Sequence, residues 1–341
     1  MIKRLMFLFA VMAAATIAST ACAADTTVDG DTSLRGLARV ENFVYGQPQS
    51  GGLLLRLSKV ERDLFGMELP GSLTERQDAL VSFVELGNAN QPSFIFKIGV
   101  AEWVTLRRVN TSQPFGERIM NLENTLEGDN QEGALSVRLE RVLSKLLPSG
   151  VSSLPAQVPS GTVFRAKFVE TLTVRNVKQG DIIQLELDED YIADGALAAA
   201  KGNRVFAQVT KVRMPRSFGR AAEISVEFND VEFIGGETTP VLIGPESKKA
   251  STLDKGVIGA AGASLAGAVL LGPVGLAGGF LVRGSDRQIP EGTLIYVETA
   301  EFKDVSGYQI SGHTEETEGD SPEAPASDLP PSDTLTPVTY Q

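Results

Sequence analysis

Few side chains in this sequence can carry chemistry. Its 341 residues include one histidine, His313, and one cysteine, Cys22. His313 lies in an acidic C-terminal stretch and Cys22 in an apolar N-terminal one. A Ser-His-Asp or Cys-His relay therefore has no histidine in the central part of the chain, and a zinc site has no nitrogen or sulfur ligands there. The run Asp188-Glu189-Asp190 offers oxygen ligands for calcium but lacks EF-hand spacing, and reads as a solvated turn. No G-x-x-x-x-G-K-[ST] phosphate loop is present. Two carboxylates facing each other across a groove, about 5–10 Å apart, would be the remaining route to catalysis, as in a cell-wall hydrolase. The expectation is a protein without enzymatic activity, cofactor or metal.

A different chemistry, that of close packing, is written into residues 256–282, which carry no charge. Gly259, Ala263 and Gly267 recur four apart, and so do Gly275 and Gly279. On a helix this spacing gives a flat stripe of small residues that lets two backbones approach closely. Gly272-Pro273 interrupts the middle, where proline removes a helix hydrogen bond. A kinked helix of this length would reach about 40 Å, enough for a bilayer core of about 30 Å. A hairpin would have arms of about 20 Å, suited to shallow insertion or to packing in a ring. Lys255 and Arg283 flank the stretch as interfacial charges would. Gly259, Ala263, Gly267, Gly272, Pro273, Gly275 and Gly279 are therefore the candidate residues for membrane association or self-association. The competing reading is a helical hairpin folded against its own barrel.

The elements that must position this insert fall into two sets. In the first half, Val40-Glu41, Gly46, Gly51, Leu53 and Arg56 recur as Val60-Glu61, Gly66, Gly71, Leu73 and Arg76, and again as Leu122-Glu123, Gly128, Gly133, Leu135 and Arg138. The unit predicts a helix stopped by its first glycine, a short loop, and a new helix opened at or beside the second glycine. Units this small must stack to bury a core. Phe94, Phe96, Ile98, Val100, Trp103, Val104 and Leu106 predict one more buried helix between the second and third copies. Residues 33–147 thus read as a helical repeat domain, with the repeated Glu and Arg as a solvated, ion-paired helix face or a surface for a partner.

Residues 148–159, rich in Ser, Pro and Gly, read as a linker. The period then changes to two: Phe164, Ala166 and Phe168, then Ile183, Leu185 and Leu187, then Ile224, Val226 and Phe228, with a late strand at 293–297. Short strands separated by turn signals predict a barrel or sandwich over 160–305. The fold class is therefore α+β, a helical repeat domain followed by an all-β domain that carries the apolar, glycine-rich helical insert.

The ends of the chain bear on location. Lys3-Arg4, an apolar run from 5 to 17, and Ala21-Cys22-Ala23 match the three parts of a secretory signal over 1–23. Uncleaved anchoring and lipidation of Cys22 are the alternatives. The formal net charge of −12 is concentrated at the C-terminus: no Lys or Arg follows Lys303, and Glu315, Glu316, Glu318, Asp320, Glu323, Asp328 and Asp333 lie among five prolines. Residues 307–341 read as a disordered acidic tail. Nucleic acid is not expected as a partner.

Val158-Pro159-Ser160-Gly161-Thr162 and Ile289-Pro290-Glu291-Gly292-Thr293 bracket the β half, with Ala200-Lys201-Gly202-Asn203-Arg204-Val205 between them. These phrases resemble the C-terminal β-barrel of the TrbI-type scaffold proteins of type IV secretion systems, over about 157–305. The resemblance implies a barrel from which an apolar helical insertion projects to help build a ring through the outer membrane. That family places a cytoplasmic tail, a membrane helix and a proline-rich stalk before its barrel, whereas this chain has a signal and helical repeats, and Ala200 stands where proline is expected.

These observations together predict an exported bacterial envelope protein of the periplasm, associated with the outer membrane. It would act as a scaffold through its insert, touching membrane, copies of itself or other envelope proteins. The alternative is a soluble periplasmic module that binds peptide or glycan.

Overall fold

The computed structural model describes residues 30–310 apart from 89, 215–221, 254–278 and 285–287. Among the described residues six helices come first: α1 (Gly30–Tyr45), α2 (Leu53–Phe65), α3 (Leu73–Val81), α4 (Phe94–Leu106), α5 (Phe115–Glu127) and α6 (Leu135–Leu146), with a π-helical turn, Ser82–Leu86, extending α3. As the repeat predicts, Gly46, Gly66 and Gly128 end their helices at φ of 78°, 78° and 76°. Ser72 opens α3 in a capping box with Glu75, and Ala134 precedes α6.

The structure corrects one part of this picture. The repeated glutamates are not on a solvated face: Glu41, Glu61 and Glu123 are fully buried. Each is clasped by the arginine fifteen residues later, through Nε and Nη2 of Arg56, Arg76 and Arg138. Each pair therefore stitches the end of one helix to the start of the next, from inside. A fourth clasp, which the repeat pattern did not reveal, joins Glu102 of α4 to Arg118 of α5 at 3.0 and 2.8 Å. The loop it closes is one residue longer, and Arg107 replaces the helix-ending glycine at φ 54°. In three of the clasps the same carboxylate also accepts a loop N–H, from Gln49, Asn110 or Gln131.

Burial favours the protonated form of Glu123, but hydrogen bonds from Arg138 and Gln131 N–H, with the charges of Arg138 and Arg141, hold its carboxyl below the usual value. A carboxyl whose folded value is depressed stabilises the fold above its unfolded value and loses that contribution as pH falls through the folded one. Urea midpoints should therefore hold steady near neutrality and fall on acidification below about pH 4, where unfolded carboxylates titrate. A midpoint independent of pH down to about pH 3 would contradict this.

Thirteen strands follow among the described residues. β2 (Val163–Phe168), β4 (Ile182–Leu187), β7 (Arg204–Arg213), β8 (Ala222–Glu232), β9 (Thr238–Leu242) and β12 (Leu294–Thr299) close into a six-stranded antiparallel barrel in the order β8-β7-β4-β2-β12-β9 and back to β8. Phe164, Ala166, Phe168, Leu185, Val205, Ala207, Val226 and Val297 fill its interior, as the period of two requires. A second sheet runs β1 (Ser153–Val158), β13 (Lys303–Gln309), β6 (Ala196–Ala199) and β5 (Tyr191–Ala193), and β3 (Leu172–Thr173) pairs with β11 (Gln288–Ile289). Two expected boundaries therefore move. The stretch read as a linker contains strand β1, paired along its length with β13, and the residues at the start of the expected tail, Gly307 to Gln309, belong to β13.

The helical and β parts share a core. α4 turns Phe94, Ile95, Ile98 and Ala101 to the other helices, and Phe96, Val100 and Trp103 to Leu197, Ala200 and Ile234 of the β part. β6 is buried at every residue, with Leu197 facing α4 and its alanines facing the barrel.

Candidate functional site

The residues singled out by small-residue spacing are mostly beyond description: Gly259, Ala263, Gly267, Gly272, Pro273 and Gly275 lie outside the described residues. Gly279 does not continue a helix. It opens strand β10 (Gly279–Gly284), paired with β8 from Gly279 opposite Glu227 to Gly284 opposite Ala222. The last four residues of the apolar stretch thus belong to the sheet, and the helical reading of 256–282 shortens accordingly.

The attachment of the insert is well defined. β9 lies on the edge of β8 with Pro240 opposite Asp230, then bends to pair Val241 and Leu242 with β12. β10 takes up the same edge of β8 at Glu227, three residues further along. β9 and β10 are therefore one edge-strand track, interrupted by an excursion that leaves after Leu242 and returns at Gly279. Pro240 and Gly279 lie three β8 residues apart along that edge, about 10 Å.

The excursion starts with a short helix, α7 (Pro245–Leu253), packed against β12 and β2. Its first turn is pinned by Glu298 of β12, a nearly buried carboxylate whose Oε2 accepts the Ser247 N–H at 2.6 Å. A negative charge at a helix N-terminus satisfies donors that have no intrahelical partner. Gly244 N–H donates to Ser247 Oγ at 2.9 Å. The sequence reading missed this anchor, although a Pro-Glu-x-x helix start and a lone acid late in β12 were visible. The helix ends at Leu253, which is 73% exposed.

The candidate chemistry can be placed too. Asp188 and Glu189 pair with Arg165, Asp188 also with Lys201, and Asp190 accepts from Trp103 Nε1 at 2.7 Å and Lys201 N–H at 2.7 Å. The acidic run is thus a bonded corner between the two parts of the fold instead of a free solvated turn. Among the described residues no group of three or more His, Cys, Asp or Glu is placed to hold a metal ion. The buried carboxylates Glu41, Glu61, Glu102, Glu123, Glu223, Glu232 and Glu298 each have a cation or backbone N–H partner. His313 and Cys22 lie outside the described residues.

An open groove of about 520 Å³ lies where the ends of α1 and α2 meet the starts of α5 and α6, lined by Val44, Tyr45, Asp63, Gly66, Ala134 and Leu135 among others. Tyr45 donates its hydroxyl to Asp63 at 2.7 Å, and Lys59 lies 3.6 Å from the Tyr45 ring centre. This groove belongs to the helical part of the fold.

Fold and anchor together define an α+β protein in which a closed barrel is backed by clasped helical repeats, with an apolar stretch of sequence between α7 and β10. No protein-family model and no curated protein matches the chain. Among solved structures, ComB10 of the Com type IV secretion system of Helicobacter pylori is similar at 8% identity and a TM-score of 0.22, over 43% of this chain and 89% of that one. A likeness of that size carries no functional argument. Among the described residues no helix is long and apolar enough to cross a membrane.

Proposed function

We propose that the protein is an exported, non-enzymatic scaffold of the bacterial envelope, which associates with membrane or with copies of itself through residues 254–278. The observation that supports this most is the interrupted edge strand. Between β9 and β10 the chain carries residues 256–278, a charge-free stretch rich in small residues, tethered by a carboxylate-pinned helix on one side and a strand on the other. A stripe of small residues suits packing against a second copy. The resemblance of residues 1–23 to a secretory signal supports export, and the barrel supports a rigid mount.

The test is fractionation of the full-length protein from a diderm host, with its mass measured in mild detergent. The expected result is recovery with membranes or as an oligomer. Removing 254–278 alone, so that α7 and β10 stay intact, should release a folded monomer into the soluble fraction. Recovery of the unaltered protein as a soluble periplasmic monomer would overturn the proposal. The groove beside Tyr45 and Asp63 favours the second reading, a soluble module binding peptide or glycan, and that reading predicts the soluble monomer.

A further inference from the structure

The clasped helices form two tandem units. α1, α2 and α3 recur as α4, α5 and α6: Leu57, Glu61, Arg76 and Leu80 reappear sixty-two residues later as Ile119, Glu123, Arg138 and Val142. Glu41, and Gln49 whose N–H it accepts, reappear sixty-one residues later as Glu102 and Asn110. The second unit stacks on the first. The starts of α5 and α6 meet the ends of α1 and α2. Phe115 stacks there on Phe43 at 5.7 Å, and a Cβ on Gly66 would lie 3.6 Å from that of Ala134.

A stack of two units has two free faces, and each repeats one half of the internal joint. At the near face, Ser72 and Leu73 open α3 as Ala134 and Leu135 open α6. Leu135, against the first unit, is 8% exposed, and Leu73 is 38% exposed. Leu54, at the position of Gly116, is 55% exposed. At the far face, Leu126 of α5 holds the position of Leu64 of α2. Leu64 is fully buried, whereas Leu126 is 37% exposed. Asn124, Thr125 and Gly128 around it are exposed as well. The β part takes the α4 side of that face, where Val104 packs on the Trp103 cluster. Terminal units of a stack ordinarily turn polar residues outward, and this stack turns leucines outward at both ends. The internal joint shows what covers such a helix start: the end of a clasped helix. Among the described residues the bare helix end of that kind is α5, and it lies at the opposite end of the same stack. We propose that copies of this chain stack head to tail, the α3 start of one on the α5 end of the next, repeating the α6–α2 joint between chains. The contact is separate from residues 254–278. A joint this limited belongs to the weak class that buries less than about 1,200 Å². It forms at concentrations on the order of 100 µM, or where copies are already gathered.

Disulfide trapping tests the contact on the full-length chain, with Cys22 changed to alanine and a mild oxidant added at about 100 µM protein. Gly66 and Ala134 set the geometry, since 3.6 Å lies within the Cβ–Cβ range of a disulfide. G66C/A134C should close within one chain. Its counterpart S72C/G128C should close between chains and give a ladder of dimers, trimers and longer products on non-reducing electrophoresis, with each single variant staying monomeric. L73C/L126C, at two exposed positions, is a second pair that leaves the left-handed Gly128 unaltered. Adding L73E to S72C/G128C should cut the ladder by at least about fivefold, because the joint would then enclose an unpaired carboxylate. The proposal is overturned by the absence of a ladder from both double variants, by failure of G66C/A134C to close, by dimers from S72C alone, or by a ladder indifferent to L73E. A ladder from a chain that fractionates as a soluble monomer when dilute would keep this proposal and remove the one built on residues 254–278. Membrane recovery or oligomers without a ladder would do the reverse.

Discussion

Replacing Arg118 with alanine should destabilise the protein by about 3–5 kcal/mol, the cost of removing one partner of a buried ion pair. Arg118 and Glu102 are 3% and 1% exposed, the most deeply enclosed of the four clasps. Without the guanidinium, Glu102 keeps one donor, the Asn110 N–H at 2.9 Å, for a carboxylate that water cannot reach. The loss is comparable to the whole stability of many domains, which lies at about 5–15 kcal/mol. Urea unfolding followed by far-ultraviolet circular dichroism measures it as a fall in midpoint. The double change E102L/R118M should recover most of the loss, because an apolar pair of similar size has no charge to desolvate. It should not recover all of it, since Asn110 N–H is then left without its acceptor, at about 1–3 kcal/mol. A single R118A variant within about 1 kcal/mol of the unaltered protein would show that Glu102 is effectively solvated, contrary to its geometry.

The same clasps show how far the sequence could be read. The helix stops at Gly46, Gly66 and Gly128 were legible because a left-handed stop has one preferred residue type. The position of the glutamates was not. Charged residues face water by default, and a clasp depends on a partner in the next helix whose approach sequence spacing alone does not reveal. The fourth clasp was hidden twice, by Arg107 in the place of glycine and by a loop that makes the Glu–Arg separation sixteen residues instead of fifteen. Ala101-Glu102 was in phase with the other copies, so a search that tolerated one inserted residue would have found it.

In the β part the alternation of Phe164, Ala166 and Phe168 or of Ile183, Leu185 and Leu187 marked strands with one face in the barrel. β1 was lost because its Ser and Pro content reads as linker, yet a proline is tolerated on an edge strand, and Pro155 sits on one. β6 was lost because it is buried on both faces and so has no alternation to show. Gly279 was read as helical from its spacing to Gly275, but pairing with β8 is a long-range event that local spacing does not encode. The rule that emerges is physical: sequence displays what a residue does within its own element, and conceals what it does for another.

That rule is sharpest at Gly202, which looks like an ordinary turn glycine in Lys201-Gly202-Asn203. The turn is in fact where the helical part docks on the barrel. Val109 N–H donates to Lys201 O at 2.8 Å, and Thr111 Oγ1 donates to Gly202 O at 3.1 Å. A Cβ on Gly202 would sit 2.1 Å from Val109 O, a backbone atom that cannot swing aside. Gly202→Ala should therefore push the helical part off the turn. Trp103 should lose its bond to Asp190, its emission should shift to the red, and stability should fall by more than about 2 kcal/mol. Gly180→Ala isolates the cause. Gly180 has the same φ of 94° but nothing within 4 Å of its would-be Cβ. It should show only the backbone penalty of about 1–2 kcal/mol, with Trp103 emission unchanged. If the two variants behave alike, the contact between the α4–α5 loop and the turn is not what joins the two parts. If only Gly202→Ala frees Trp103, the excursion that leaves the barrel edge is mounted on one rigid body that includes the clasped helices.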